Sequence, residues 1–152
     1  MITMLPVGGH SSRKTYAQEG DIMRVIEFKI PIYDWTLTFI TVLDKTDASP
    51  VKEYINTYMP KLPQSTKEQI INAIVNEDFN GGETFTSMSG KKAVVIIFRW
   101  SEESYFHNVL NHEKRHCVDN IMEDCHITDK EAAAYLDGYI SAELYKQIHL
   151  LT

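Results

Sequence analysis

His112-Glu113-Lys114-Arg115-His116 has the form H-E-x-x-H, the one string in this 152-residue chain whose residue types and spacing name a chemistry. On a helix, residues four apart share a face, so both imidazoles can reach one metal ion while Glu113 borders the same cleft. A zinc ion with three protein ligands keeps a position open for water, and a neighbouring carboxylate can take that water's proton. At this chain's own His and Glu frequencies the string arises by chance in about 2 of 100 such chains, so it needs a helix around it. Phe106, Val109, Leu110, Cys117 and Ile121 recur at helical spacing, and Ser101-Glu102-Glu103-Ser104 supplies a capping serine and acids for the helix start.

Two imidazoles require a third ligand. The metzincin pattern is absent, because Asp119 and Met122 stand where its Gly and third His would be. Asp124 to Thr128 separates two helical patterns and is expected to reverse the chain, which brings Glu131 into the first turn of a second helix. Thr128-x-x-Glu131 is also a capping box, in which the carboxylate returns to the cap's own N–H. The stripe Glu131, Tyr135, Gly138, Ala142 favours ligation: its small members suit a close helix contact with Glu131 at its head. His126 and Asp129 are fallback ligands, and Asp119 or Asn120 is placed to orient an imidazole. Tyr135 is the first candidate to hold the oxyanion of a tetrahedral intermediate, ahead of Tyr139, His107 and His126.

H-E-x-x-H followed by Glu131-Ala132-x-Ala134-Tyr135-x-x-Gly138 on the next helix resembles the minimal gluzincin-type metallopeptidase domains met in phage and mobile-element proteins of bacteria. The resemblance covers about residues 107–145 and the preceding strand. It implies zinc held by His112, His116 and Glu131, with Glu113 as general base and acid in the hydrolysis of a peptide or protein substrate. In zincin-like folds an edge strand near the cleft binds that substrate by strand addition. The rival from another class is a non-catalytic protein that keeps the zincin scaffold as a structural or partner-binding part of a phage or mobile element.

These residues need a frame. Residues 22–32 and 37–43 alternate as strands, with Tyr33-Asp34-Trp35 between them as a hairpin. Ser49-Pro50 opens a helix through Tyr58, and Ser65-x-x-Glu68 reads as a capping box for a second helix. Asn80-Gly81-Gly82 ends that helix, and residues 83–88 and 93–100 read as strands joined at Ser89-Gly90-Lys91-Lys92. The expected fold is α+β: a small antiparallel or mixed sheet, an active-site helix and a C-terminal helix bearing the third ligand. Residues 1–21 read as an N-terminal arm or leader, and 22–152 as a single domain.

The composition, 43% hydrophobic and 24% charged, suits a globular core. A net charge of −6 argues against a general nucleic-acid binder. Two cysteines, Cys117 and Cys125, are too few for a disulfide framework. No stretch approaches a membrane span and no secretory signal opens the chain, so a cytoplasmic location is expected.

Overall fold

The computed structural model describes residues 13–17, 23–77, 81–98 and 103–151, of which 13–17 are described by backbone alone. Five strands form one mixed sheet in the order β1-β2-β3-β5-β4: β1 Arg13–Ala17, β2 Arg24–Ile30, β3 Trp35–Val42, β4 Gly82–Ser87 and β5 Lys92–Phe98. β2 and β3 are an antiparallel hairpin, turned where Asp34 adopts φ 57°. β3 and β5 are parallel, so the chain between them must cross a face of the sheet, and α1 (Ala48–Tyr58) and α2 (Gln64–Asn76) make that crossing. α3 (Glu103–Asp124) and α4 (Lys130–Tyr145) cover the other face.

Alternation along the strands builds two cores. Phe28, Leu37, Phe39, Val95 and Ile97 point to α3 and α4, while Val25, Ile40, Val42, Val94 and Ile96 point to α1 and α2. β5 is buried on both faces, which is why residues 93–97 read as an unbroken apolar run rather than an alternating one. The α+β expectation with a mixed sheet therefore holds, and the sheet is enclosed by helices on both sides.

Four local expectations change. Arg13–Ala17, within the segment expected to be an arm, pairs with β2 as an edge strand, Arg13 opposite Phe28; the rest of residues 1–21 lies outside the described residues, as does the serine expected to cap α3. α2 begins at Gln64 behind Pro63, so Ser65 and Glu68 sit inside its first turns and form no capping box. α1 begins at Ala48, before the expected Ser49-Pro50 start. α4 is capped by Asp129, whose Oδ1 accepts from the N–H of Glu131 at 3.0 Å; Thr128 lies one residue too early to do so.

Candidate metal centre

α3 buries Phe106, Val109, Leu110, Cys117, Val118 and Ile121 against the sheet and α4. At about 100° per residue, Lys114 stands about 100° round the helix from Glu113 on one side, and His116 and His112 about 60° and 100° on the other. The motif is thereby split across the helix. Glu113, only 5% exposed, points down onto β4, the strand at the sheet's edge. His112 and His116 lie exposed on the flank beyond it.

β4 approaches closely because of Gly82. A Cβ there would fall 2.7 Å from Val109 Cγ1 and 3.1 Å from Glu113 Cγ, so any side chain would push strand and helix apart. Two residues on, the Thr84 hydroxyl meets Glu113 Oε2 at 2.7 Å and donates its proton to it. A charge-assisted bond of this kind fixes a buried carboxylate's orientation and leaves Oε1 without a protein partner among the described residues. Further along the same contact, Asn120 Nδ2 donates to Thr86 Oγ1 at 2.7 Å.

The two imidazoles meet edge to face, with ring planes at 82° and Nε2 atoms 3.2 Å apart. Two nitrogens at ordinary zinc distances of about 2.0–2.1 Å, subtending a tetrahedral angle, are separated by about 3.3 Å. The pair is thus spaced as two ligands of one ion would be. Without an ion, the same spacing serves one shared proton, with one ring as donor and the other as acceptor. Ligand atoms of His112, Glu113 and His116 all lie within 4.8 Å of one another, and no other His, Cys, Asp or Glu among the described residues joins the group.

Glu131 and Tyr135 are elsewhere. Lys114 Nζ lies 3.2 Å from Asp137 Oδ1 and donates to Ser141 Oγ at 2.7 Å, so residues 137–141 are the part of α4 level with the motif. Glu131 is six residues earlier, about 9 Å along the helix axis. It also points outward: α4 turns Leu136, Ile140 and Leu144 to the core, and Glu131, Tyr135, Gly138 and Ala142 lie about 140–180° away from Ile140 and are exposed. A Cβ at Gly138 would meet nothing within 4 Å, so the small-residue stripe makes no helix contact. Tyr135 is 78% exposed and lines an apolar groove with Ile30, Pro31 and Tyr33. α4 packs through its larger aliphatic stripe because that stripe removes more apolar surface from water.

The remaining candidates have other partners. His107 Nε2 lies 3.5 Å from Glu103 Oε1, and the Tyr139 hydroxyl donates to the Lys29 carbonyl at 3.5 Å. His126 occupies the α3–α4 turn with φ 54°. Asp119 pairs with Arg115 at 3.1 Å, and Asn120 is engaged with Thr86, so neither orients an imidazole. Burial pushes the Cys117 thiol up to about 12, the charge of Glu113 adding to the effect, which makes it a packing residue rather than a nucleophile. Thr84 and Gly82 are the two site residues that the sequence did not announce.

Comparison of the chain with protein-family models, with curated proteins and with solved structures yields no match.

Proposed function

We propose that the chain is a divalent-metal-dependent hydrolase, in the first instance a zinc peptidase, with His112 and His116 as ligands and Glu113 as the base. The single observation that carries this reading is the 3.2 Å separation of the two Nε2 atoms beside a buried carboxylate. Zinc, when bound there, would supply Lewis-acid polarisation of the scissile carbonyl and a water of lowered pKa. Glu113 would take that water's proton on Oε1, while Thr84 holds Oε2 and with it the carboxylate plane. With two imidazoles rather than three protein ligands, the other positions fall to water and substrate, and affinity for the ion is lower than in a three-ligand site.

An extended peptide substrate suits the neighbourhood. Among the described residues β4 pairs only with β5, which leaves its outer backbone edge for strand addition next to Glu113. An open groove of about 490 Å³ runs along that strand, between Glu83, Thr84 and Thr86 on one side and Gln69, Asn72 and Asn76 of α2 on the other. Among the described residues no helix is long and apolar enough to cross a membrane.

The non-catalytic scaffold, as a structural or partner-binding protein of a phage or mobile element, is the second reading. One observation favours it: α4 turns both Glu131 and Tyr135 away from the histidines, so it brings neither a ligand nor an oxyanion donor. Zinc per chain, measured by elemental analysis after purification without chelators, separates the readings when combined with cleavage of an unfolded protein substrate. The peptidase reading expects near one zinc, lost in His112→Ala, and cleavage lost in Glu113→Gln with zinc retained. Zinc without cleavage supports the scaffold, and no zinc after incubation with the metal leaves the two histidines sharing a proton.

A further inference from the structure

On the opposite face of the sheet from the histidines, a cavity of about 280 Å³ opens where the end of β2, the starts of β3 and β5 and the end of β4 meet the α1–α2 connection. Three lysines line it, Lys29, Lys61 and Lys92, each delivered by a different element. One acid shares the cavity: Asp34, whose Oδ1 lies 2.8 Å from Lys29 Nζ. Lys61 and Lys92 have no ion-pair partner among the described residues. Three cations against one carboxylate leave a local excess of two positive charges, on a chain whose total is −6. An anion entering the cavity would meet that excess of positive charge.

Beside the buried Leu62, two hydroxyl groups line the same cavity. Ser87 is 5% exposed, and its hydroxyl accepts from the Gly90 N–H at 3.2 Å, which leaves its own proton to give. Thr36, on β3 beside Lys92, adds a second hydroxyl. A monovalent carboxylate would answer only one of the two unpaired ammonium groups. A phosphoryl group is compact, carries close to two charges and offers several acceptor oxygens, and lysine binds it as a point charge. We propose that this cavity is a second ligand site, separate from the histidine pair, which binds the phosphoryl group of a small phosphorylated molecule through Lys61 and Lys92 with Ser87 as donor.

Titration of the full-length chain with inorganic pyrophosphate by calorimetry, at low ionic strength and free of divalent metal, tests this directly. The expected result is one saturable site per chain, weakened about tenfold by Lys61→Ala or Lys92→Ala and about a hundredfold by both, unchanged by Lys130→Ala on α4. Citrate should bind at least tenfold more weakly than pyrophosphate; parity would mean that the cavity recognises charge and not phosphoryl chemistry, and would overturn the ligand class. The same titration on His112→Ala/His116→Ala must be unchanged, and loss of binding there would place the anion on the histidines instead. Absence of a saturable site, or equal affinity in the Lys61→Ala/Lys92→Ala double variant, sinks the proposal.

Discussion

On the β4 flank of α3, two exposed imidazoles and a buried carboxylate converge, with one threonine hydroxyl as the carboxylate's partner. On the α4 flank, a single ammonium, Lys114, is enclosed between a carboxylate and a hydroxyl, its side chain only 11% exposed. Both flanks place ionisable groups at the boundary of the same apolar helix stripe, yet the second satisfies its charge within the protein and the first does not. A partly buried ion pair that ties two helices together is a structural device. A converging group with an open side toward solvent is one that a ligand can complete. The motif string spans both flanks, and its two middle residues differ accordingly: Lys114 ties α3 to α4, while Arg115 forms a surface pair with Asp119.

The strongest way to break this contrast is to remove side chains from each flank and measure metal. Under the proposed metal site, His112→Ala or His116→Ala should lower zinc affinity at least a hundredfold, since each removes one of the two proposed ligands, whereas Glu131→Ala should leave it within about twofold. Equilibrium competition against a chromogenic chelator reads all three. An equal loss in the Glu131 variant would require α4 to rotate by about half a turn, against the burial of Leu136, Ile140 and Leu144.

The same contrast has a stability side. Lys114→Ala strands Asp137 at a partly buried position and should cost about 2 kcal/mol, below the full cost of breaking a buried pair because the Asp137 side chain keeps 35% exposure. Lys114→Met, which keeps the aliphatic volume, should recover part of that loss. Denaturant midpoints at constant slope measure both, and zinc binding should survive both as long as the flanks act independently.

Gly82→Ala sharpens the β4 side. The added methyl must find room against Val109 Cγ1 and Glu113 Cγ, which costs about 1–2 kcal/mol as helix and strand separate. That separation also lengthens the Thr84–Glu113 bond, so under the proposed peptidase reading cleavage should fall further than zinc binding does. Equal falls in both would mean that Glu113 takes no separate part in the reaction.

The fold was legible where apolar periodicity is unambiguous. β2, β3 and β5 were within two residues of their observed bounds because Val, Ile and Phe alternate or run unbroken there, and α3 was legible from its Phe106–Ile121 stripe. The histidine pair was legible because its geometry depends only on helix pitch. α4 was not, because beside the small-residue stripe Glu131-Tyr135-Gly138-Ala142 it carries a larger one, Leu136-Ile140-Leu144, and that second stripe faces the core and sets its orientation. Thr84 lies 29 residues from Glu113 and no local spacing announces their bond. Gly82 read as a helix stop, since a glycine demanded by a contact looks in sequence like one demanded by a turn.

The smallest expected effect distinguishes the two readings of the α4 start. Asp129 Oδ1 accepts from the Glu131 N–H, so Asp129→Ala removes the cap and should cost about 1 kcal/mol. Thr128→Ala should change stability by no more than a few tenths of that, because α4 begins at Lys130 and Thr128 stands before the cap position. The capping box would reverse this order, with Thr128 carrying the cost and Glu131→Ala sharing it through the reciprocal bond. Thermal midpoints of the three single variants decide between them. Because the α4 start lies about 9 Å along the axis from the level of the motif, none of the three should move zinc affinity. A cap variant that did lower it would show that the register of α4 is transmitted through Lys114 to the other flank of α3, and the two flanks would then be one device.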